Sequence, residues 1–245
     1  MPTKQIISNF ASSLKDLCFP PVCLLCKVSL RDSSVLICSN CLKTIPFSVS
    51  PLCPQCGKVF ISREGGDHLC STCRQKKLFY DRARSLFLYN SQSAPLIHAF
   101  KYGGCTAGLK TFARLKEEKN ADAELSPPSL IIPVPLHKKR LRHRGYNQAL
   151  LLAQALFPLE RAKIDPFVLR RDKDTGPQTS LSGRQRRRNP IGAFRVAEPE
   201  KIEGRSILLI DDVLTTGTTV NECARVLSRA GAERVEVFTL ARVRE

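Results

Sequence analysis

The chain has 245 residues and a hydrophobic fraction of 42%, enough for one large globular domain or two modest ones. No apolar run approaches the roughly 18 residues that a membrane-spanning helix needs, so we expect no membrane span. Lys and Arg number 39 against 22 Asp and Glu, a formal net charge of +17. This excess favours polyanionic partners such as nucleic acid, nucleotides or acidic lipids.

The first residues predict an amphipathic helix without a targeting function. Ile6, Phe10, Leu14 and Leu17 recur at the spacing of one helix face, with polar residues between them. The segment lacks the continuous apolar core of an export signal. Asp16 and the absence of Arg argue against a mitochondrial targeting helix. We therefore expect a cytoplasmic protein.

Eight of the 11 cysteines form four Cys-x-x-Cys pairs. Two thiolates three positions apart can bind one zinc ion, and a second pair about a dozen residues later completes a tetrahedral Cys₄ site. The gaps inside successive double pairs are 11 and 13 residues. The pattern predicts two adjacent zinc ribbons, each with a closed, structural site. The predicted ligands are Cys23, Cys26, Cys38, Cys41, Cys53, Cys56, Cys70 and Cys73.

Two other uses of these cysteines fit the sequence less well. A disulfide framework requires an oxidising compartment, and the sequence shows no export signal that would lead to one. A redox Cys-x-x-Cys pair is the other alternative, but four such pairs in succession argue against it. His68 could replace a thiolate, although a surface histidine is the simpler interpretation. The ribbons have few large apolar residues, so metal should supply much of their folding free energy. We therefore expect Cys23→Ser or Cys53→Ser to unfold residues 1–80 and to leave residues 81–245 largely intact.

From Asp81 onward, predicted strands alternate with predicted helices, which indicates an α/β domain with a mainly parallel sheet and helices on both faces. Cys223 lies on the apolar face of the last helix with Val220 and Leu227, so we expect it in the core. The expected organisation is an N-terminal helix and double zinc ribbon over 1–80 and this domain over 81–245. Strands are predicted over 83–89, 130–136, 205–213 and 234–242, and helices over 94–102, 109–125, 147–156 and 218–232.

The stretch ILLIDDVLTTGTT, residues 207–219, combines a buried strand, two acids and a Thr/Gly loop. Ligands of parallel sheets bind at the carboxyl ends of strands, and the N–H groups at the start of the next helix favour an anion. Gly217 allows close backbone approach. Asp211 and Asp212 suit sugar hydroxyls, or Mg²⁺ held through water. The loop hydroxyls belong to Thr215, Thr216, Thr218 and Thr219.

Phosphate at one end and a diol at the other predict a site for a ribose 5-phosphate. A Walker B strand also combines apolar residues with acids, but it needs a G-x-x-x-x-G-K-[ST] loop. The sequence has no such loop, which argues against a P-loop NTPase.

The positive charge is concentrated between His137 and Arg195, where 15 Lys and Arg face four Asp and Glu, a net of +11. Within this range, RRDKDTGPQTSLSGRQRRRN (170–189) is polar and cationic and has no apolar period. Such a long segment inside a domain is usually functional or disordered. Its cations could close over an anionic ligand. A disordered basic linker and a solvated basic face without a partner are the alternatives.

Three sequence blocks behind the ribbons resemble a known family. Residues 207–219 resemble the phosphoribosyl pyrophosphate (PRPP) loop of type I phosphoribosyltransferases. IIPVPLHKKRLRHRGYNQA (131–149) and DTGPQTSLSGRQRRRNPIGAF (174–194) resemble signatures of the ComF family. A cysteine-rich double zinc ribbon ahead of a transferase-like domain fits the same family. The resemblance covers nearly the whole chain.

This resemblance implies a type I phosphoribosyltransferase-like fold that acts on PRPP with Mg²⁺. Asp211 and Asp212 would hold the ribose hydroxyls at the catalytic centre, and Thr215 to Thr219 would hold the 5-phosphate. The turn formed by Leu136, His137 and Lys138 would correspond to the pyrophosphate loop. The segment after Asp174 would be a flap over the pyrophosphate. Its family positions would be Thr175, Gln178, Arg186 and Asn189.

The family is associated with DNA uptake in naturally competent bacteria, which implies single-stranded DNA and other DNA-uptake proteins as partners. Two functions therefore compete. One is an enzyme that transfers a phosphoribosyl group from PRPP. The other is a non-catalytic protein that binds single-stranded nucleic acid or docks a partner. The absence of Trp and the presence of only four Tyr leave few stacking platforms for bases.

Overall fold

The structure is a computed structural model that describes residues 20–31, 35–62, 65–102, 108–173 and 191–244. The predicted N-terminal amphipathic helix lies outside these residues.

Two small metal-binding lobes with the same plan open the described chain. Each begins with a cysteine knuckle closed by an antiparallel bridge, Val22 to Ser29 in the first lobe and Leu52 to Val59 in the second. Each ends in a short helix, α1 (Ser39–Thr44) or α2 (Ser71–Gln75). The residue before each helix is a cysteine whose sulfur accepts a hydrogen bond from the backbone three positions on.

Four parallel strands form the main sheet: β1 (Arg82–Tyr89), β2 (Leu130–Pro133), β5 (Ser206–Leu214) and β6 (Arg234–Val243). Their spatial order is β1-β6-β5-β2. All four strands begin and end within about one residue of the predicted bounds, except that β2 ends at Pro133 and not at 136. The carboxyl ends of the strands therefore meet at one edge of the sheet.

Helices connect these strands. They are α3 (Ala94–Tyr102), α4 (Gly108–Glu118), α5 (Lys138–Arg144), α6 (Gln148–Leu156) and α7 (Thr218–Arg229). Short 3₁₀ turns cover Arg161–Lys163 and Pro199–Lys201. The helix predicted over 109–125 ends earlier, at Glu118, because Asn120 adopts a positive φ of 47°. Helix α5 was not predicted.

Apolar side chains cover both faces of the sheet, as the alternating pattern predicted. One face packs against α3, α4 and α6 through residues such as Phe112 and Leu152. The other packs against α7, whose Cys223 is fully buried. The expectation that Cys223 is a core residue is confirmed.

The two metal-binding lobes contact the sheet directly along its β1 edge. Backbone N–H groups of β1 donate to lobe carbonyls, Leu88 to Pro46 at 2.7 Å and Ala83 to Gln55 at 2.7 Å. These bonds cover an edge strand that would otherwise expose unpaired backbone groups. Cysteines of the two lobes also belong to the two hydrophobic cores of the sheet. The lobes are therefore integral to the packing, which the cysteine spacing did not reveal.

A short antiparallel ladder lies beside α7. It pairs β3 (Leu169–Arg171) with β4 (Phe194–Val196), in a region where the sequence predicted no regular structure. Residues 174–190, which connect the two strands, lie outside the described residues.

Within the described ranges, no helix has the length and apolar content needed to cross a membrane.

Candidate functional site: two metal centres and a strand-end cavity

The eight paired cysteines form two compact clusters, which settles how the pairs combine. Cys23, Cys26, Cys38 and Cys41 form the first cluster, and Cys53, Cys56, Cys70 and Cys73 form the second. In each cluster all four sulfur atoms lie within 4.8 Å of one another. The sulfur atoms of Cys26 and Cys38 are 3.7 Å apart, and so are those of Cys56 and Cys70.

These distances fit zinc. A tetrahedral ion with Zn–S bonds of about 2.3 Å separates its sulfur ligands by about 3.8 Å. His68 is not needed as a ligand, because each cluster already provides four sulfur atoms. Its ring stacks on Phe60, with ring centroids 4.0 Å apart. The two Cys₄ clusters are the structural sites of a double zinc ribbon.

The thiols of each cluster differ in acidity. Burial raises the pKa of Cys23, but N–H groups of Cys26 and Cys38 outweigh it and lower the pKa to about 6. The same balance lowers the pKa of Cys53 to about 7. Burial and the nearby Cys56 thiolate raise the pKa of Cys73. Zinc binds the deprotonated thiol, so a bound divalent cation would stabilise the thiolate form of the ligands in each cluster.

A cavity of about 500 Å³ opens at the carboxyl ends of the parallel strands. Asp211 and Asp212 line it near the end of β5, and both are partly buried. Successive strand residues face opposite sides of a sheet, so the two carboxylates flank the strand end. The Asp212 N–H donates to Asp211 Oδ1 at 2.9 Å, which fixes the orientation of the first carboxylate.

The Thr/Gly loop forms the next wall of the cavity. Thr215, Gly217 and Thr219 line it, whereas the hydroxyls of Thr216 and Thr218 hydrogen-bond to each other at 2.8 Å. Gly217 has a φ of 71° and is the residue before α7. No side-chain hydrogen bond caps this helix start. The first N–H groups of a helix lack partners within the helix, so this end favours an anion.

The turn after β2 also contributes to the cavity wall. Leu136 lines the cavity. His137 instead caps α5, since its Nδ1 accepts from the Lys139 N–H at 3.4 Å, and Lys138 is exposed. Of the three residues predicted to form a pyrophosphate loop, Leu136 alone is among the described residues that line this cavity.

Cations and amides that the sequence did not single out surround the same space. Arg140 and Arg144 lie four residues apart on α5, so one helix face presents both to the cavity. Their (i, i+4) spacing could have indicated a shared helix face, but the sequence analysis predicted no helix here. The other polar residues on the cavity wall are Tyr89, His98, Asn147, Gln148 and Arg171.

The start of α6 is tied to the sheet beside the acid pair. Asn147 caps the helix by accepting from the Ala149 N–H at 3.0 Å, and it donates to the Val134 carbonyl at 3.2 Å. Val134 in turn donates to the carbonyl of Ile210, the residue before Asp211, at 2.9 Å. The four predicted flap residues, Thr175, Gln178, Arg186 and Asn189, lie outside the described residues, so their role stays a prediction.

Comparisons with known proteins match both halves of this arrangement. The family model of the phosphoribosyl transferase domain matches residues 147–245, and that of the double zinc ribbon domain matches residues 14–74. The chain is 35% identical over 228 residues to DNA utilization protein YhgH of Escherichia coli strain K12, covering 91% of this chain and 97% of the relative.

Two competence proteins show the same extended match. Competence protein F of Haemophilus influenzae is 34% identical over 226 residues, covering 90% of this chain and 96% of the relative. Competence protein ComFC of Bacillus subtilis is 27% identical over 242 residues, covering 90% and 95%. With both domains present and this identity extending over nearly the whole of each relative, the chain belongs to the ComF family.

Proposed function

We propose that this chain binds PRPP with Mg²⁺ in the strand-end cavity and acts as a phosphoribosyltransferase. The observation that carries the proposal is the union, in one cavity, of the acid pair, the loop around Gly217 and the arginines of α5. The carboxylates suit the ribose hydroxyls and Mg²⁺, and the start of α7 suits the 5-phosphate. The β2–α5 turn, with Leu136, would face the pyrophosphate.

Transfer from PRPP builds positive charge on the ribose and negative charge on the leaving pyrophosphate. Arg140 and Arg144 are placed to offset the negative charge, and Asp211 and Asp212 the positive charge. Mg²⁺ would neutralise pyrophosphate oxygens when bound. In this proposal catalysis consists of positioning and charge stabilisation.

Calorimetric titration with PRPP and Mg²⁺ tests the binding site. Asp211→Ala combined with Asp212→Ala should abolish binding, because it removes the groups proposed to hold the ribose. The matched control is Glu200→Ala with Glu203→Ala, an exposed acid pair before the amino end of β5. It changes net charge equally and should bind PRPP like the parent. A double Asp variant that binds PRPP normally would refute the proposed site. Release of pyrophosphate in the presence of an acceptor would separate turnover from binding.

A non-catalytic role in nucleic-acid binding is the second candidate. It is favoured by the exposed basic side chains of α5 beside the cavity and by the net charge of +17. The names of the relatives, which refer to DNA utilization and competence, support a role with DNA, with single-stranded DNA and DNA-uptake proteins as partners. Zinc-bound thiolates suit a reducing compartment such as the cytoplasm.

A further inference from the structure

Gln148 is a buried amide whose donor group is not used by the described protein. Its side chain is 2% exposed, and Nε2 has no hydrogen-bond partner among the described residues. Leaving a buried amide N–H unsatisfied costs about 1–3 kcal/mol. Native proteins rarely retain such a cost without a reason. A ligand that accepts this hydrogen bond would supply one.

The position of Gln148 identifies where that ligand would lie. Gln148 is the first residue of α6 and lines the strand-end cavity. Its neighbour Asn147 fixes the start of the helix against Val134, which is bonded to the end of β5 at Ile210. The amide is thus held on the cavity wall by elements that also carry the acid pair and the β2–α5 turn.

Helix stability does not explain this residue. Asn147 already provides the N-cap of α6, so a polar side chain at the next position is not needed for capping. An apolar residue would fill a buried position on α6 without an unsatisfied donor. The amide is therefore best explained by the cavity and not by the fold.

We propose that Gln148 is a ligand-binding residue whose Nε2 donates a hydrogen bond to an oxygen of the bound sugar phosphate. The inference rests on the proposed function, since it takes PRPP as the ligand. A neutral amide can bind a phosphate or hydroxyl oxygen without adding charge beside Arg140 and Arg144. It thereby orients the ligand between the acid pair and the β2–α5 turn.

Gln148→Met tests this role, because methionine has a similar length and shape but no donor. We expect PRPP to bind about 10- to 100-fold more weakly, as for loss of a hydrogen bond to a charged group. The unfolding temperature without ligand should stay the same or rise, because the variant removes an unsatisfied buried donor. The matched control is Gln154→Met, an exposed glutamine on the same helix, which should change neither quantity.

Zinc content and thermal unfolding verify that each variant is folded. A Gln148→Met protein that loses stability but binds PRPP like the parent would overturn the inference and assign Gln148 a structural role. Equal affinity at equal stability would overturn it as well. In both cases the proposed function would stand, because the parent still binds PRPP. Failure of the parent to bind PRPP would overturn the proposed function and this inference with it.

Discussion

Gly217 is the residue on which the shape of the phosphate loop depends. Its φ of 71° lies in the left-handed region, where a side chain costs about 1–2 kcal/mol. A methyl group there would also lie 3.6 Å from Tyr80 Oη and 3.8 Å from Leu214 Cδ1, which is ordinary contact. Gly217→Ala should therefore destabilise the protein by about 1–2 kcal/mol through its backbone alone. It should also weaken PRPP binding, because the loop must relax to relieve the strain.

Gly204→Ala is the matched control for this prediction. Gly204 has nearly the same φ, 66°, and a methyl group there meets nothing within 4 Å. It lies before the amino end of β5, away from the cavity. Chemical denaturation should give a similar loss of stability for both variants, while titration should show weaker PRPP binding for Gly217→Ala alone. Unchanged affinity in Gly217→Ala would mean that the loop does not bind the phosphate.

Among the elements, the second zinc ribbon and the residues that follow it contact α7 and β6, which flank the phosphate loop and its cavity. Arg242 of β6 donates to the Cys56 carbonyl at 2.6 Å and contacts the Cys56 sulfur at 3.6 Å. The Phe79 N–H donates to Asn221 Oδ1 of α7 at 2.8 Å, and Tyr80 shares a hydrophobic core with Cys53 and Cys56. The first ribbon instead packs with α4, where the Leu36 N–H donates to Thr111 Oγ1 at 2.9 Å.

Loss of the second zinc site should therefore affect PRPP binding more than loss of the first. Cys73→Ser and Cys41→Ser are matched, since each removes the fourth ligand of its site and both residues are partly buried. Elemental analysis should show about one zinc lost in each variant. We expect weaker PRPP binding in Cys73→Ser than in Cys41→Ser. Equal affinities would show that the second ribbon does not support the loop.

The contacts between the ribbons and the sheet also change the effect on stability that we expect from zinc removal. The sequence predicted that the ribbons would unfold alone, but their cysteines lie in the cores of the sheet. Loss of either zinc should therefore lower the unfolding temperature of the whole chain. The Cys-x-x-Cys spacing reveals ligands, because zinc dictates it locally, but it contains no information on which surface a ribbon covers.

Across the whole molecule, local patterns predicted what local forces determine. Strands β1, β2, β5 and β6 follow from apolar runs, and the acid pair and loop at residues 211–219 follow from strand-end chemistry. Helix α5, the β3–β4 ladder and the position of Gln148 were not predicted. Helix α5 is rich in basic residues without an apolar period, the ladder has three residues on each side, and the surroundings of Gln148 come from distant parts of the chain.

The net charge of +17 favours the binding of polyanions such as nucleic acid. Lys138 and Arg142 are exposed on α5, the helix whose Arg140 and Arg144 line the cavity. If this surface binds single-stranded DNA, affinity should fall with salt in proportion to the phosphates neutralised. Lys138→Glu with Arg142→Glu should then reduce the log–log salt slope by about 1.4, or about 0.7 for each lost phosphate contact.

Arg161→Glu with Lys163→Glu provides a control that changes net charge equally at a distant site. Both residues are exposed on a 3₁₀ turn. The next residue, Ile164, forms a bridge to Ile131 in the amino-terminal half of β2, whereas the cavity lies at the carboxyl ends of the strands. Fluorescence anisotropy over a range of salt concentrations should show a reduced slope for the α5 pair alone, across all DNA sequences alike, because phosphate contacts do not read bases. Equal effects of the two pairs would attribute DNA binding to the overall charge. An unchanged slope and affinity for the α5 pair would leave α5 a solvated basic face, with no role in binding nucleic acid.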